Sequence, residues 1–290
     1  MKKSDQIQRF LFQEHAIRGQ HISLDSSWQQ IARQSGVEGL AQTLLGQALC
    51  AAALLVDTLK INGSVSMQIR GSGAIHLLIV EATSGHSVRG LVRQSAPLEE
   101  QQSLADVFES DKLVITIKDG KARPHQGIVP LVGDSLAEAL QAYFNQSEQL
   151  PTRLWFACNS ETVAGLLIQQ LPEESRDEDA WNRICILAET TQPEELLGLC
   201  AEQLLQRLFH EEQLRLFEAD TICFNCSCSL ERTRDMLVSL GKAEIDDIIA
   251  QQQQTSITCE FCNKQYHFDK VDLELLFQDE QTILSSSKQH

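Results

Sequence analysis

Leu40, Leu44, Leu45, Leu49, Ala52 and Leu55 recur at intervals of three and four residues, which places them on one face of a helix. Residues 1–60 are accordingly read as helical. From Asn62 the period shortens to two. "GSVSMQIR", "AIHLLIVEA" and "HSVRGLVRQ" alternate like strands, with "GSG" and "TSG" turns between them, the pattern of an antiparallel meander. "DKLVITIKDGKARPHQGIVPL" repeats the pattern around a "KDGK" turn and predicts a further hairpin. A helix starts in "GDSLAEALQAYFNQS", where Ser135 and Glu138 have the spacing of a capping box. "PTRLWFAC" and "TVAGLLIQQL" read as two more strands.

The pattern changes at "PEESRDEDA" (172–180), an acidic, turn-rich boundary. Two helical stretches follow, near 180–190 and 193–210, the second with Thr191 and Glu194 as its cap and Pro193 in its first turn. Its apolar stripe is Leu196, Leu197, Leu204, Leu205, Leu208 and Phe209, and such a stripe must lie on something, most simply the preceding domain. "QLRLFEADTICF" alternates like a strand, "DMLVSL" and "AEIDDIIAQ" read as short helical turns, and the tail "QTILSSSKQH" reads as frayed. The fold class is therefore α+β. It comprises an N-terminal domain of antiparallel strands and helices (1–175), a helical linker (176–220) and a small C-terminal domain (221–290), whose cluster of cysteines makes it a zinc-binding domain.

Charge narrows the function. Forty acidic residues stand against 24 basic ones, a net charge of −16. Nucleic-acid affinity comes mainly from neutralised phosphates, so a nucleic-acid partner is not expected. The stretch at 40–59 is apolar but interrupted by Gln42, Gln47 and Asp57, which fits a buried helix rather than a membrane span. The start "MKKSDQIQRFLFQEH" lacks the apolar core of a secretory signal. A cytoplasmic protein with no membrane partner is the expectation.

Of nine cysteines, Cys50, Cys158, Cys185 and Cys200 are scattered through apolar or helical contexts and read as small buried hydrophobes. The other five crowd into 223–262. Cys226, Cys228, Cys259 and Cys262 form C-x-C followed by C-x-x-C, a four-thiol set suited to tetrahedral zinc. Cys223 and Cys226 are also C-x-x-C, so a conventional ribbon would use Cys223, Cys226, Cys259 and Cys262; spacing alone leaves both sets open. His267 in "KQYHF" reads as a strand residue beside the site. In extended backbone the Cα atoms of Cys226 and Cys228 would lie ~6.5–7 Å apart, at the edge of the ~4.4–6.8 Å that a disulfide spans. A bond between them would be strained and easily reduced. Spacing thus permits a reversible thiol switch as well as a constitutive zinc ribbon that binds a partner. A C-x-x-C reductase is disfavoured, because neither pair follows a strand and opens a helix in a βαβ unit. No phosphate-binding loop or nucleophile elbow is present, and no enzyme is expected.

With these residues in view, the chain resembles the redox-regulated 33 kDa heat-shock chaperone family (33 kDa chaperonin). The resemblance runs through "RFLFQEHAIRG", "QGIVPLVGDSLAEAL", "YFNQSEQLPTRL", "RLFHEE", "FNCSCS" and "CEFCNKQYHF", nearly the whole chain in the family's order. It implies zinc on Cys226, Cys228, Cys259 and Cys262, and oxidation to Cys226–Cys228 and Cys259–Cys262 disulfides. Zinc release, unfolding of the C-terminal region and loosening of the linker would follow. The exposed surface, with the Leu196–Phe209 stripe as the candidate, would hold unfolding client proteins without ATP under oxidative stress. A homodimeric oxidised form belongs to the same expectation. Cys223 stands where the family usually has another residue.

Overall fold

A computed structural model describes residues 5–98, 103–172, 177, 179–251 and 254–276. The expected frayed tail and most of the 172–180 boundary lie outside the described residues. The chain divides into two compact units, Met1–Asn225 and Cys226–His290. In order, the first unit contains β1 (Gln6–Phe12), β2 (Ile17–Leu24), α1 (Ser26–Ser35), α2 (Gly39–Leu59), β3 (Gly63–Arg70), β4 (Ile75–Thr83) and β5 (Ser87–Gln94). It continues with α3 (Leu104–Phe108), β6 (Lys112–Asp119), β7 (His125–Pro130), α4 (Leu136–Tyr143), β8 (Thr152–Cys158) and β9 (Val163–Gln170). The expected linker supplies α5 (Ala180–Glu189), α6 (Pro193–Gly198), α7 (Ala201–Leu208), β10 (Leu214–Leu216) and β11 (Asp220–Thr221), and β12 (Cys223–Phe224) closes the unit. The second unit has α8 (Leu230–Leu240), α9 (Lys242–Gln251), β13 (Gln254–Thr258), β14 (Gln265–Asp269) and α10 (Lys270–Leu275).

The mixed α and β architecture agrees with the sequence, and the meander β3–β4–β5 and the β6–β7 hairpin fall where the alternation placed them. They form one sheet in the order β12-β5-β4-β3-β6-β7. A second sheet runs β10-β1-β2-β9-β8, with β11 also pairing β1. Between the sheets' apolar faces lies α2, long and apolar enough by length and composition to cross a membrane, but mostly buried in this core. Gly90 of β5 lets the helix come close: a Cβ there would meet Leu45 and Leu49 of α2 at 3.0 and 3.1 Å.

The reading of 1–60 as helical is corrected at its start, which forms β1 and β2. β2 lies between β1 and β9 and is buried on both faces, so it shows no in–out alternation. Its interior also carries polar side chains, Gln20, His21 and Ser23, which hid it from a hydropathy pattern. β9 is likewise buried on both faces and alternates between two cores: Val163 and Leu167 face α2, while Ala164, Leu166 and Ile168 face the linker helices.

Two caps differ in detail. Ser135 accepts from the Glu138 N–H at 3.2 Å, but the Glu138 carboxylate accepts from Asp134 N–H at 2.8 Å instead of from Ser135. The expected Thr191/Glu194 cap is shifted by one residue: Gln192 N–H donates to Glu195 at 3.2 Å, while the Thr191 hydroxyl donates to Ala188 O and ends α5. The helix expected over 193–210 is broken at Leu199–Cys200 into α6 and α7. Residues 221–225 sit with the first unit, because β11 pairs β1 and β12 pairs β5.

Candidate metal centre

Both halves of the thiol cluster are held by short local bonds. Cys226 and Cys228 lie in the irregular segment before α8. Ser229 caps that helix by accepting from the Arg232 N–H at 3.1 Å, and the Arg232 side chain donates back to Ser227 O at 2.8 Å, fixing the residue between the two cysteines. Cys259 and Cys262 occupy the turn between β13 and β14. Cys259 N–H donates to Lys264 O at 2.9 Å and Asn263 N–H donates to Cys259 O at 2.8 Å. Asn263 adopts φ 57°, a left-handed conformation that asparagine tolerates better than most side chains. A small core of Leu237, Ile245, Tyr266, Phe268 and Leu273 backs the site.

The four Sγ atoms lie within 4.8 Å of one another. Cys226 Sγ is 3.6 Å from Cys259 Sγ, and Cys228 Sγ is 3.4 Å from Cys262 Sγ. Sulfurs at ~2.3 Å from a tetrahedral zinc would be about 3.8 Å apart, so this donor set fits a zinc-sized, thiophilic ion. The spacing that left two ligand sets open is narrowed by the fold, because Cys223 is not a member of the group. It belongs to β12 of the first unit, where its N–H donates to His86 O at 3.0 Å and its side chain is exposed. His267 is an exposed residue of β14, as its strand reading implied, and also stands outside the group.

Tyr266 is a part of the site that the sequence did not single out. Its hydroxyl donates to Cys228 Sγ at 3.1 Å. Burial raises the Cys228 thiol, but hydrogen bonds from Tyr266 and from the three facing thiols outweigh it and bring Cys228 down to about 7. Burial and the facing sulfurs push Cys262 up to about 12, against a lowering backbone bond at Lys264. Tyr266 and the facing thiols thus favour the thiolate at Cys228, the form that binds metals and reacts with oxidants. All nine thiols are free. Cys50 and Cys185 are buried, and Cys158 and Cys200 are partly so.

Among the described residues, one other trio, Asp57, His86 and Asp220, brings ligand atoms within 4.8 Å of one another. Arg9 already lies against it, 2.9 Å from Asp220 and 3.8 Å from Asp57, and fills the place of a cation there. The stripe on α6 and α7 is packed. Leu196, Leu204, Leu205, Leu208 and Phe209 are buried and Leu197 partly buried against Phe10, Phe12, Ile17, Leu166 and Ile168. The Phe12 and Phe209 rings meet edge-on, centroids 5.2 Å apart.

These features define a class: a protein with a two-sheet core, an apolar helical strap packed on it and a separate four-thiol module. The comparisons place that class among the chaperones. Relatives named 33 kDa chaperonin include one from Methylobacillus flagellatus, 42% identical over 295 residues and covering the whole of both chains. Another, from Pseudomonas aeruginosa, is 44% identical over 285 residues and covers 96% of each. The solved structure of the 33 kDa chaperonin from Thermotoga maritima shares the fold, with a TM-score of 0.82 over 96% of this chain and 99% of that one at 22% identity. The family model described as Hsp33 protein matches residues 5–269. The chain belongs to the Hsp33 family.

Proposed function

We propose that this protein is a cytoplasmic, ATP-independent chaperone that holds unfolding proteins and is switched by thiol oxidation. The observation that carries the reading is the convergence of Cys226, Cys228, Cys259 and Cys262 in a module that has, among the described residues, five buried apolar side chains of its own. When bound, zinc would keep these sulfurs as thiolates and cross-link the segment before α8 to the β13–β14 turn. Each pair close in sequence, Cys226–Cys228 and Cys259–Cys262, then has its own redox chemistry. Two thiolates give up two electrons and form one S–S bond, and hydrogen peroxide takes up those electrons with two protons from solvent to become two molecules of water. After both steps no thiolate donor remains, and the small core must hold the module alone.

The module begins at Cys226, directly after the strands that end the linker, so loss of its order reaches the linker through the chain. The buried face of α6 and α7 is the apolar surface that release of the linker would uncover for clients. The sequence carries no phosphate-binding loop, in keeping with holding rather than ATP-driven cycling. The alternative, a constitutive zinc ribbon, called for Cys223 as a ligand. The presence of Cys228 in the thiol group instead supports the switch.

The test is light scattering from a thermally unfolding client, with reduced protein and with peroxide-treated, warmed protein, alongside zinc content in each. Protection only after oxidation, with zinc lost, is the expected result. Equal protection in both states would sink the switch.

A further inference from the structure

Glu212, between α7 and β10, is a carboxylate with little access to water. Its side chain is 9% exposed. Arg183 of α5 donates Nε–H to its Oε1 at 3.0 Å, and His15 Nε2 lies 3.2 Å from its Oε2. The same guanidinium donates to Asp177 Oδ2 at 2.9 Å and comes within 3.5 Å of His15 Nε2. His15 is 8% exposed, and its Nδ1 has no hydrogen-bond partner. His15 belongs to the turn joining β1 to β2, in the core sheet, whereas Asp177, Arg183 and Glu212 belong to the linker. Beside them, Gln13 N–H donates to Gln213 O at 2.9 Å. One buried carboxylate thus ties the start of the linker, its end and the core together.

The ion pair between Arg9 of the core and Asp220 of the linker is of a different kind. Arg9 donates to Asp220 at 2.9 Å, but the side chains are 43% and 33% exposed. Water solvates both partners when that pair opens, so it contributes little. Arg183 is itself 38% exposed, but Glu212 and His15 are not; truncating one member of such a buried pair leaves the other inside the fold without its partner, which is strongly destabilising. Replacing both by apolar groups of similar size is near neutral.

We propose that Glu212, His15 and Arg183 form an autoinhibitory catch that fixes the linker to the core sheet and sets, alongside the thiols, how often the linker lifts. The consequence for clients rests on the switch reading above, but the effect on linker opening does not.

The experiment is amide hydrogen exchange on the full-length, reduced, zinc-loaded protein. In Glu212→Ala, amides of α5, α7 and β10 exchange about 100-fold faster, while those of β3–β5 and the zinc content stay as in wild type. Asp220→Asn changes the linker amides by no more than a few-fold. The double variant His15→Leu/Glu212→Leu returns them to within about threefold of wild type, which separates the catch from a general loss of packing. No acceleration in Glu212→Ala, equal acceleration in β3–β5, or a double variant as open as the single one would overturn the catch. Reduced Glu212→Ala should also protect a client without oxidant, with peroxide-treated wild type as reference. Open linker amides without protection, while that reference protects, would remove the word autoinhibitory. If the reference itself fails to protect, the switch reading fails and the exchange data still decide the catch.

Discussion

Removing zinc, which the proposed switch places on the four thiols of the reduced protein, should melt the second unit and leave the first intact. The module's own core consists of Leu237, Ile245, Tyr266, Phe268 and Leu273. At ~1.5–3 kcal/mol for each fully buried side chain, these five supply on the order of 7–15 kcal/mol of burial. Ordering the backbone costs about 1–2 kcal/mol per residue, so five side chains cannot hold three helices and a hairpin by themselves. A structural zinc contributes about 10–16 kcal/mol in small zinc peptides, comparable to the whole apolar core of this unit. The first unit has two large buried clusters and none of the converging thiols. A chelator strong enough to strip a four-thiolate site should therefore remove α8, α9 and α10, roughly a quarter of the α-helical signal by circular dichroism. Amide exchange should localise the loss, with β13 and β14 unprotected and β3, β4 and β9 unchanged. Restoring zinc under reducing conditions should restore both signals. Chelated protein with full helicity and a protected β13–β14 hairpin would refute the reasoning, because the module would then be shown to fold on its apolar core alone.

Three further outcomes can be checked directly. Tyr266→Phe removes the donor to Cys228 Sγ, and loss of such a supporting bond typically costs ~10-fold or more in metal affinity; competition with a chromogenic chelator should show it, and an unchanged affinity would make the bond incidental. Gly19→Ala should destabilise the first unit in urea, because Gly19 pairs across the strands with Phe10 and an added Cβ would run into that ring; an unchanged midpoint would mean the ring moves freely. Asp57 carries a raised pKa, mainly from burial, with Asp220 raising it further and Arg9, His86 and Arg18 lowering it. A carboxyl whose folded pKa is raised contributes its stability below the unfolded value near 4 and loses it as the pH climbs through the folded value. Asp57→Asn should then match wild type in acid and become relatively more stable above that window, read from denaturant midpoints against pH; a gap that stays constant would refute the assignment.

What the sequence made legible follows from where each signal originates. The meander and the β6–β7 hairpin alternate because one face of their sheet is solvated, so in and out are written in the residues themselves. β2 carries no such record: it is covered on both sides, and its buried Gln20, His21 and Ser23 are polar for reasons that only their neighbours supply. The thiol centre was nearly complete in the cysteine spacing, yet spacing could not choose between Cys223 and Cys228. In the fold it is Cys228 that joins the other three thiols. Cys223 is drawn into pairing beside Ser87 of β5, while Cys228 stands immediately before the capping serine of α8, under the hydroxyl of Tyr266. Tyr266 itself was visible only as an aromatic in a strand, since a bond from residue 266 to residue 228 has no local signature. The same limit applies to Glu212, whose partners His15 and Arg183 come from distant parts of the chain and meet only when the linker lies on the core sheet. Local periodicity therefore reports elements with one wet face, and ligand spacing reports sets held within a turn. The contacts that would decide when this protein opens are long-range polar ones, and those must be read from the fold.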